Sequence, residues 1–252
     1  GDIVLLDDLK DFHVNRVFVE GALVAEEGKY LPEIKKCDIS SVKGSVIVKE
    51  FSKEKFKMNL KSNKVNVIKI LPGGVVTAKD TAEIELDANG EFVRNPEVDL
   101  VKVAVVERHQ GTGNVACGFL KGYGIKEGAV ALSIAHDSHN IIVVGVSDEE
   151  MEFAVNSLIE QEGGMVLVKE GKVIESMPMP IAGLMSDQSG EWVDQKLTDI
   201  HEKAYEELGI CGDVEPVMTL CFMSLAVIPE IKLTDMGLFD VTTFSFIPVE
   251  AE

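Results

Sequence analysis

The chain has 252 residues, of which 46% are hydrophobic and 6% aromatic, a composition typical of a globular protein with a sizeable core. Its formal net charge of −19 repels phosphate backbones and argues against nucleic acid as a partner. No apolar run approaches the roughly 20 residues of a membrane span. The four cysteines have neither a CxxC pair nor zinc-ligand spacing, which predicts free thiols in the cytoplasm.

The N-terminal part is predicted to be a small β segment. Apolar or alternating runs over Asp2–Leu6, Val14–Val19 and Ala22–Ala25 are typical of short strands. Residues 49–61 are rich in lysine and predict a connector or an exposed helix. We therefore expect one domain over residues 1–58 and a second over residues 59–252. Because the chain starts within a strand and without Met, we also expect it to be a fragment.

A β-rich section follows, interrupted by glycines. Predicted strands cover Val65–Ile70, Val75–Leu86, Leu100–Val106, Val130–Ile134 and Ile141–Val146. Asn89-Gly90 predicts a hairpin. The glycines between positions 111 and 128 predict a tight, mobile loop. Their first part formally matches a dinucleotide fingerprint, but so many glycines argue against the helix that this site requires.

Two amphipathic helices are expected in the C-terminal half. Ser147 begins a capping box, and apolar residues recur at helical spacing up to Gly163. A hairpin around Gly171 is followed by a second helix from Trp192 to Leu208. The apolar runs 217–227 and 241–249 then predict final strands. This order predicts an α+β fold of mixed α/β layers, with β-rich sheets, two main helices and a preceding small β segment.

The most informative stretch is a group of five polar residues between two apolar strands, namely His136, Asp137, Ser138, His139 and Asn140. Buried without partners, such groups would each cost about 1–3 kcal/mol. A self-capped turn would satisfy them, because Asp, Ser and Asn bond local backbone. Two histidines exceed what a turn needs, and this favours the rim of a functional site.

Arg108 and His109 form a second candidate, at the point where a predicted strand meets the glycine loop. They could orient a ligand and share the rim with residues 136–140, although a solvated strand end also explains them. His136 and His139 supply only two imidazoles, which favours hydrogen bonding over a metal site. The adjacent His136, Asp137 and Ser138 cannot converge as a catalytic triad.

Four sequence blocks are distinctive, namely Arg108–Gly113, Ala135–Gly145, Met179–Ser186 and Ile228–Asp240. Together with the N-terminal β segment they resemble the C-terminal part of microbial adenine deaminase, of the amidohydrolase superfamily. Residues 1–24 are similar to the β segment that follows the catalytic barrel in that superfamily.

The resemblance implies a cytoplasmic hydrolase of purine metabolism that converts adenine to hypoxanthine and ammonia. A divalent metal, manganese, iron or zinc, would activate the attacking water. The family's metal ligands, which include an H-x-H, belong to the N-terminal barrel, and this chain contains no H-x-H. We expect no metal or cofactor ligands here, and an isolated chain without activity.

Three functions therefore compete. In the first, the chain packs on the barrel and helps to shape the purine pocket, with His136, Asp137, Ser138 and His139 supporting catalysis and Arg108, His109 and Asn140 binding substrate. It could instead be a non-catalytic module that binds a small molecule, or a structural module for oligomerisation. The expected partners are the barrel, adenine and further copies of the chain, and neither nucleic acid nor a membrane.

Overall fold

The structure is a computed structural model that describes residues 1–251. Residues 1–39 form one compact unit, and the chain from Ser40 onward forms a second. The first unit is an antiparallel sheet in which each strand pairs with the next along the chain. Its strands are β1 (Ile3–Leu6), β2 (Val14–Val19), β3 (Ala22–Glu26) and β4 (Lys29–Tyr30).

The second unit is built on a large mixed sheet. Its strands are β5 (Lys64–Ile70), β6 (Thr77–Glu83), β7 (Glu85–Leu86), β8 (Phe92–Val93), β9 (Leu100–Val106), β10 (Val115–Lys121), β11 (Ala129–Leu132), β12 (Ile141–Gly145), β13 (Gly164–Lys169), β14 (Lys172–Pro178), β15 (Ile231–Thr234), β16 (Gly237–Asp240) and β17 (Ser245–Phe246). The large sheet has the order β14-β13-β11-β12-β9-β10-β5-β6, and only β10 and β5 pair in parallel within the described residues. Strands β15 to β17 form a separate small sheet, and β7 and β8 form a hairpin.

Helices cover both faces of the large sheet. The α-helices within residues 1–251 are α1 (Asp148–Glu160), α2 (Gly190–Glu206) and α3 (Pro216–Cys221). Strand β9 shows the consequence. Val103 and Val105 belong to the buried cluster that includes residues of α2 and α3, while Ala104 and Val106 belong to the cluster that includes residues of α1. A sheet that is buried on both faces needs apolar side chains on both, which explains the continuous apolar runs of its central strands.

Both predicted helices are present, and the predicted α+β class is confirmed. The Ser147 hydroxyl accepts a hydrogen bond from the Glu150 N–H at 3.2 Å and caps α1. The Ser189 hydroxyl does the same for the Trp192 N–H at 3.3 Å and caps α2. None of the helices in the described residues has the length and apolar character needed to cross a membrane.

Several segments differ from the sequence-based prediction. The run 241–249, expected to be a strand, contains the two-residue β17, and the longer strands β15 and β16 lie before it. The glycine-rich segment, expected to be a loop, contains β10, which runs antiparallel to β9 over its full length. Gly118 fits there because its Cα faces the apolar side chains of Leu233 and Leu238. The apolar run 217–227, expected to be a strand, begins with α3, because Pro216 stands at the first helical turn and the Glu215 carboxylate accepts the Met218 N–H.

The lysine-rich segment 49–61 is better packed than expected. It contains a short 3-10 helix, Lys53–Phe56, whose last residue is fully buried against the α1 side of the sheet. Residues 40–58 thus pack within the second compact unit. The predicted domain boundary between residues 58 and 59 stays a prediction.

Lys232 on β15 is a fully buried cation, and its Nζ donates to the Val75 carbonyl at 2.9 Å. Burial lowers the pKa of Lys232 to about 8, well below the ordinary lysine value. Between pH 8 and about 10.5 the unfolded chain therefore binds a proton that the folded chain has released. The free energy of unfolding should rise by about 3 kcal/mol across that window because of this group alone.

Urea unfolding at pH 7, 8, 9 and 10 measures this effect. Lys232→Met is expected to be more stable than the wild type at pH 7, by about 1–2 kcal/mol, because it removes a buried charge. The gain should shrink as pH rises towards 10. Lys69→Met, which changes an exposed lysine of β5, is the matched control and should leave the pH dependence unchanged. A gain for Lys232→Met that is independent of pH would contradict the prediction.

Candidate functional site

The candidate site lies where neighbouring strands of the large sheet end at one edge. Strands β9 and β12 are antiparallel, with Val106 directly opposite Ile141. The residues after β9 therefore lie beside the residues before β12. We call the resulting surface the histidine rim, and define it as residues 107–113 and 136–140.

Arg108 is the internal link of the histidine rim. Its side chain is fully buried, and its Nε donates to the His139 carbonyl at 2.5 Å. Its Nη2 donates to the Ala182 carbonyl at 3.2 Å and reaches the Ser133 carbonyl at 3.5 Å. Burial lowers the pKa of Arg108, but a guanidinium stays charged in proteins. A side chain with this burial orients the rim from within and presents no surface to a ligand.

The segment after β14 approaches Arg108 closely, and this approach requires glycine. Gly183 has φ of +70°, and a Cβ at that position would lie 2.8 Å from Arg108 Nη1. Its carbonyl accepts the Ser133 hydroxyl at 2.5 Å, while the same hydroxyl accepts the Gly164 N–H at 2.7 Å. Ser133 and Gly183 thus fix the position of the guanidinium, and neither was singled out from the sequence.

Asn140 and His109 join the two halves of the rim. The Asn140 side chain is buried, and its Oδ1 accepts the Arg108 N–H at 3.3 Å. The His109 side chain is exposed, and its Nε2 bonds the Ser138 carbonyl at 2.7 Å. The structure therefore brings all seven predicted site residues to one edge, with Arg108 and Asn140 inside and His109 on the surface.

Glu107 holds the first half of the rim in place. This carboxylate is nearly fully buried, and it accepts backbone N–H groups from His109, Gln110 and Thr112. Burial alone would raise the pKa of Glu107, but these backbone hydrogen bonds outweigh it and lower the pKa to about 2. The sequence offers a signal for this residue, because a carboxylate directly after a buried, mostly apolar strand needs internal donors.

His136 and His139 form an edge-to-face pair, with ring centroids 5.6 Å apart. The His136 ring also packs on Phe222 at 4.7 Å, and its backbone N–H donates to the Cys221 carbonyl at 2.9 Å. Burial is the main cause that lowers the pKa of His139, and the neighbouring His136 ring lowers it further. His139 is thus neutral at pH 7 and can act as a hydrogen-bond donor or acceptor.

Asp137 and Ser138 are exposed at the tip of the same loop. Together with the ring of His109 they give the rim an open, polar outer surface. The described residues contain no group of three His, Cys, Asp or Glu side chains that could hold a metal ion. The exposed side chains of the rim can donate and accept hydrogen bonds as one wall of a site.

Cys117 lies on β10 and is not a reactive thiol. Burial raises the pKa of Cys117 to about 12, so the thiolate is not available at neutral pH. Burial likewise raises the pKa of Cys221 to about 12. No disulfide joins the four cysteines, all of which lie within the described residues.

A family model for the adenine deaminase C-terminal domain matches residues 74–245, a span that includes the whole histidine rim. The chain belongs to the adenine deaminase C-terminal domain family. This confirms the resemblance found in the sequence.

Curated relatives match nearly the whole chain. It is similar to "Adenine deaminase 2" of Desulfotalea psychrophila, with 64% identity over 99% of the chain and 43% of the relative. "Adenine deaminase" of Ligilactobacillus salivarius is 45% identical over 100% of the chain and 43% of the relative. "Adenine deaminase" of Clostridium acetobutylicum is 39% identical over 98% of the chain and 43% of the relative. The chain spans less than half the length of these relatives.

Proposed function

We propose that this chain is the C-terminal part of an adenine deaminase, a hydrolase that converts adenine to hypoxanthine and ammonia. The family membership and the printed names of the relatives support the proposal. The relatives continue over more than twice the matched length. The reaction would take place in an N-terminal amidohydrolase barrel of the longer protein, and this part would pack on the barrel and shape the purine pocket.

The observation that carries this role is the joining of the two rim loops at one edge of the sheet. A site that recognises a purine needs a few oriented polar groups on a rigid scaffold. Internal hydrogen bonds hold the backbone of the rim, while His109, Asp137 and Ser138 remain exposed. In our proposal, this exposed surface faces the barrel and lines or supports the purine site.

The individual roles follow from burial. His136, Asp137, Ser138 and His139 would support the pocket, with neutral His139 available as a donor or acceptor. His109 would contact substrate or a group beside it. Arg108 and Asn140, predicted from the sequence as substrate-binding residues, would instead act from inside by holding the loop backbone.

The metal would be held elsewhere in the longer protein. The donor atoms of the rim do not fit a metal centre, because the two loop imidazoles stack edge to face and the described residues provide no third ligand beside them. We propose that manganese, iron or zinc is bound by barrel residues outside this chain. When bound there, it would supply the activated water.

A second role is favoured by exposed apolar residues of the N-terminal unit. Ile3, Val4, Leu9 and Phe12 are all more than half exposed, and such a surface marks an interaction site. This segment would complete a β-sandwich with the missing part of the amidohydrolase.

The alternative is an oligomerisation or small-molecule-binding module without chemistry. We also propose homo-oligomers and a cytoplasmic location, the latter from the free thiols.

The rim is tested by His136→Ala and His139→Ala in the longer protein. We expect kcat/KM for adenine to fall by about 10- to 100-fold for at least one variant, because a polar contact made in the transition state is lost. The melting temperature should change little. His201→Ala is the matched control, since His201 bonds Glu215, the N-cap of α3, outside the rim. Wild-type kinetics in both rim variants would show that the loop is scaffold only.

A further inference from the structure

The Glu107 carboxylate accepts four hydrogen bonds within the rim, although the sequence does not single it out as a site residue. Its Oε1 accepts the His109 N–H at 2.6 Å and the Gln110 N–H at 2.8 Å. Its Oε2 accepts the Thr112 N–H at 2.9 Å and the Thr112 hydroxyl at 3.0 Å. One carboxylate thus binds both ends of the loop that carries His109.

These four bonds match the acceptor capacity of the group. An ionised carboxylate is an acceptor only, with about four lone-pair sites on its two oxygens. Glu107 is 6% exposed, so it has little access to water in place of these donors. A glutamine would present an amide nitrogen to one pair of donors and could accept only from the other pair. The loop conformation therefore depends on the carboxylate itself.

The effect extends from Glu107 to the second half of the rim. The carboxylate fixes the backbone of residues 109–112, and this orients the His109 side chain. His109 Nε2 in turn bonds the Ser138 carbonyl at 2.7 Å. Loss of the carboxylate would release His109 first and would then loosen the loop that carries His136 and His139.

We propose that Glu107 is a positioning residue for the purine site: it holds residues 109–112 so that His109 engages the 136–140 loop and faces the substrate. This inference rests on the proposed function. Glu107 does not itself touch the substrate in this account, because the backbone and hydroxyl of its own loop surround it. It acts through His109.

A double-mutant cycle in the longer protein tests whether Glu107 acts through His109. The variants are Glu107→Gln, His109→Ala and the double variant, and the measurement is kcat/KM for adenine. We expect each single change to cost about 10- to 100-fold and the double change to cost no more than the larger single one, because coupled residues are not additive. If the losses of kcat/KM in the two single variants multiply in the double variant, the proposal is overturned. Unchanged activity in Glu107→Gln would overturn it as well.

The matched control is Glu91→Gln. Glu91 also binds two backbone N–H groups of another loop, those of Met58 and Asn59 at 3.1 and 3.0 Å. The kcat/KM of the Glu91→Gln variant should stay within about twofold of wild type, as expected for a change outside the site. If Glu107→Gln fails to fold, Thr112→Val replaces it in the cycle. That variant removes one hydroxyl donor to the carboxylate and should lower kcat/KM by a smaller factor that again does not add to His109→Ala.

Amide hydrogen exchange in the 252-residue chain separates this proposal from the proposed function. Glu107→Gln should speed exchange at the His109, Gln110 and Thr112 amides by at least about tenfold, since local opening sets that rate. Unchanged exchange would overturn the positioning role whatever the kinetics show. If exchange speeds up but His109→Ala keeps wild-type activity in the longer protein, the purine-site role of His109 fails, and Glu107 holds a loop without catalytic consequence.

Discussion

Arg108→Ala is expected to lower the free energy of unfolding by about 3–5 kcal/mol, the cost typical of losing several buried hydrogen bonds and leaving a cavity. The fully buried guanidinium reaches the carbonyls of Ser133 and His139, in the connection between β11 and β12, and of Ala182, after β14. Alanine would leave these acceptors without their donor and would also leave a cavity. For a chain of this size we expect the melting temperature to fall by about 10 °C.

Thermal and urea unfolding of the 252-residue chain measure this loss. Arg108→Lys is the informative comparison, because lysine keeps the charge but cannot donate in several fixed directions from one plane. It should recover only part of the stability. Arg16→Ala, which removes an exposed cation paired with Glu26 in the first unit, should cost less than about 1 kcal/mol. A loss below 1 kcal/mol for Arg108→Ala would show that the guanidinium is not the internal link of the rim.

The sequence predicted the central strands and both long helices for clear physical reasons. The strands β9 and β12 are buried on both faces. They therefore appear as apolar runs bounded by polar residues, and Lys102 is the one charged residue within β9. The helices α1 and α2 have serine caps and an apolar face at helical spacing. In each of these elements the local signal and the tertiary environment favour the same conformation.

The misses occurred where local signals and tertiary packing disagree. The segment containing β10 is rich in glycine, which usually indicates a loop, but pairing with β9 and β5 stabilises a strand there. The apolar run after Pro216 could have formed a buried strand or a buried helix, and periodicity alone cannot separate these for short runs. The proline and the Glu215 cap decide for α3.

The site was predictable as a set of residues but not as a geometry. The sequence placed Arg108 and His109 at one strand end and residues 136–140 between two strands, and the register of β9 and β12 brings them together. Which side chains turn inward depends on acceptors from distant segments, such as the Ala182 carbonyl. For that reason the sequence predicts Arg108 as a ligand-binding residue and does not single out Glu107, Ser133 or Gly183 as site residues.

The second large effect concerns catalysis by the chain alone. We expect the 252-residue chain to release no ammonia from adenine above background. The residues that the structure describes do not assemble three metal-binding side chains, and the relatives named adenine deaminase extend well beyond the matched region. The rim would contribute one wall of a pocket whose remaining parts belong to the barrel.

The most direct test is to assay the chain and the longer protein side by side. Both are purified, supplied with manganese, iron or zinc, and followed for ammonia release from adenine. The account predicts turnover by the longer protein and none by the 252-residue chain. Robust turnover by the homogeneous 252-residue chain would contradict it, and so would a longer protein that binds metal but releases no ammonia.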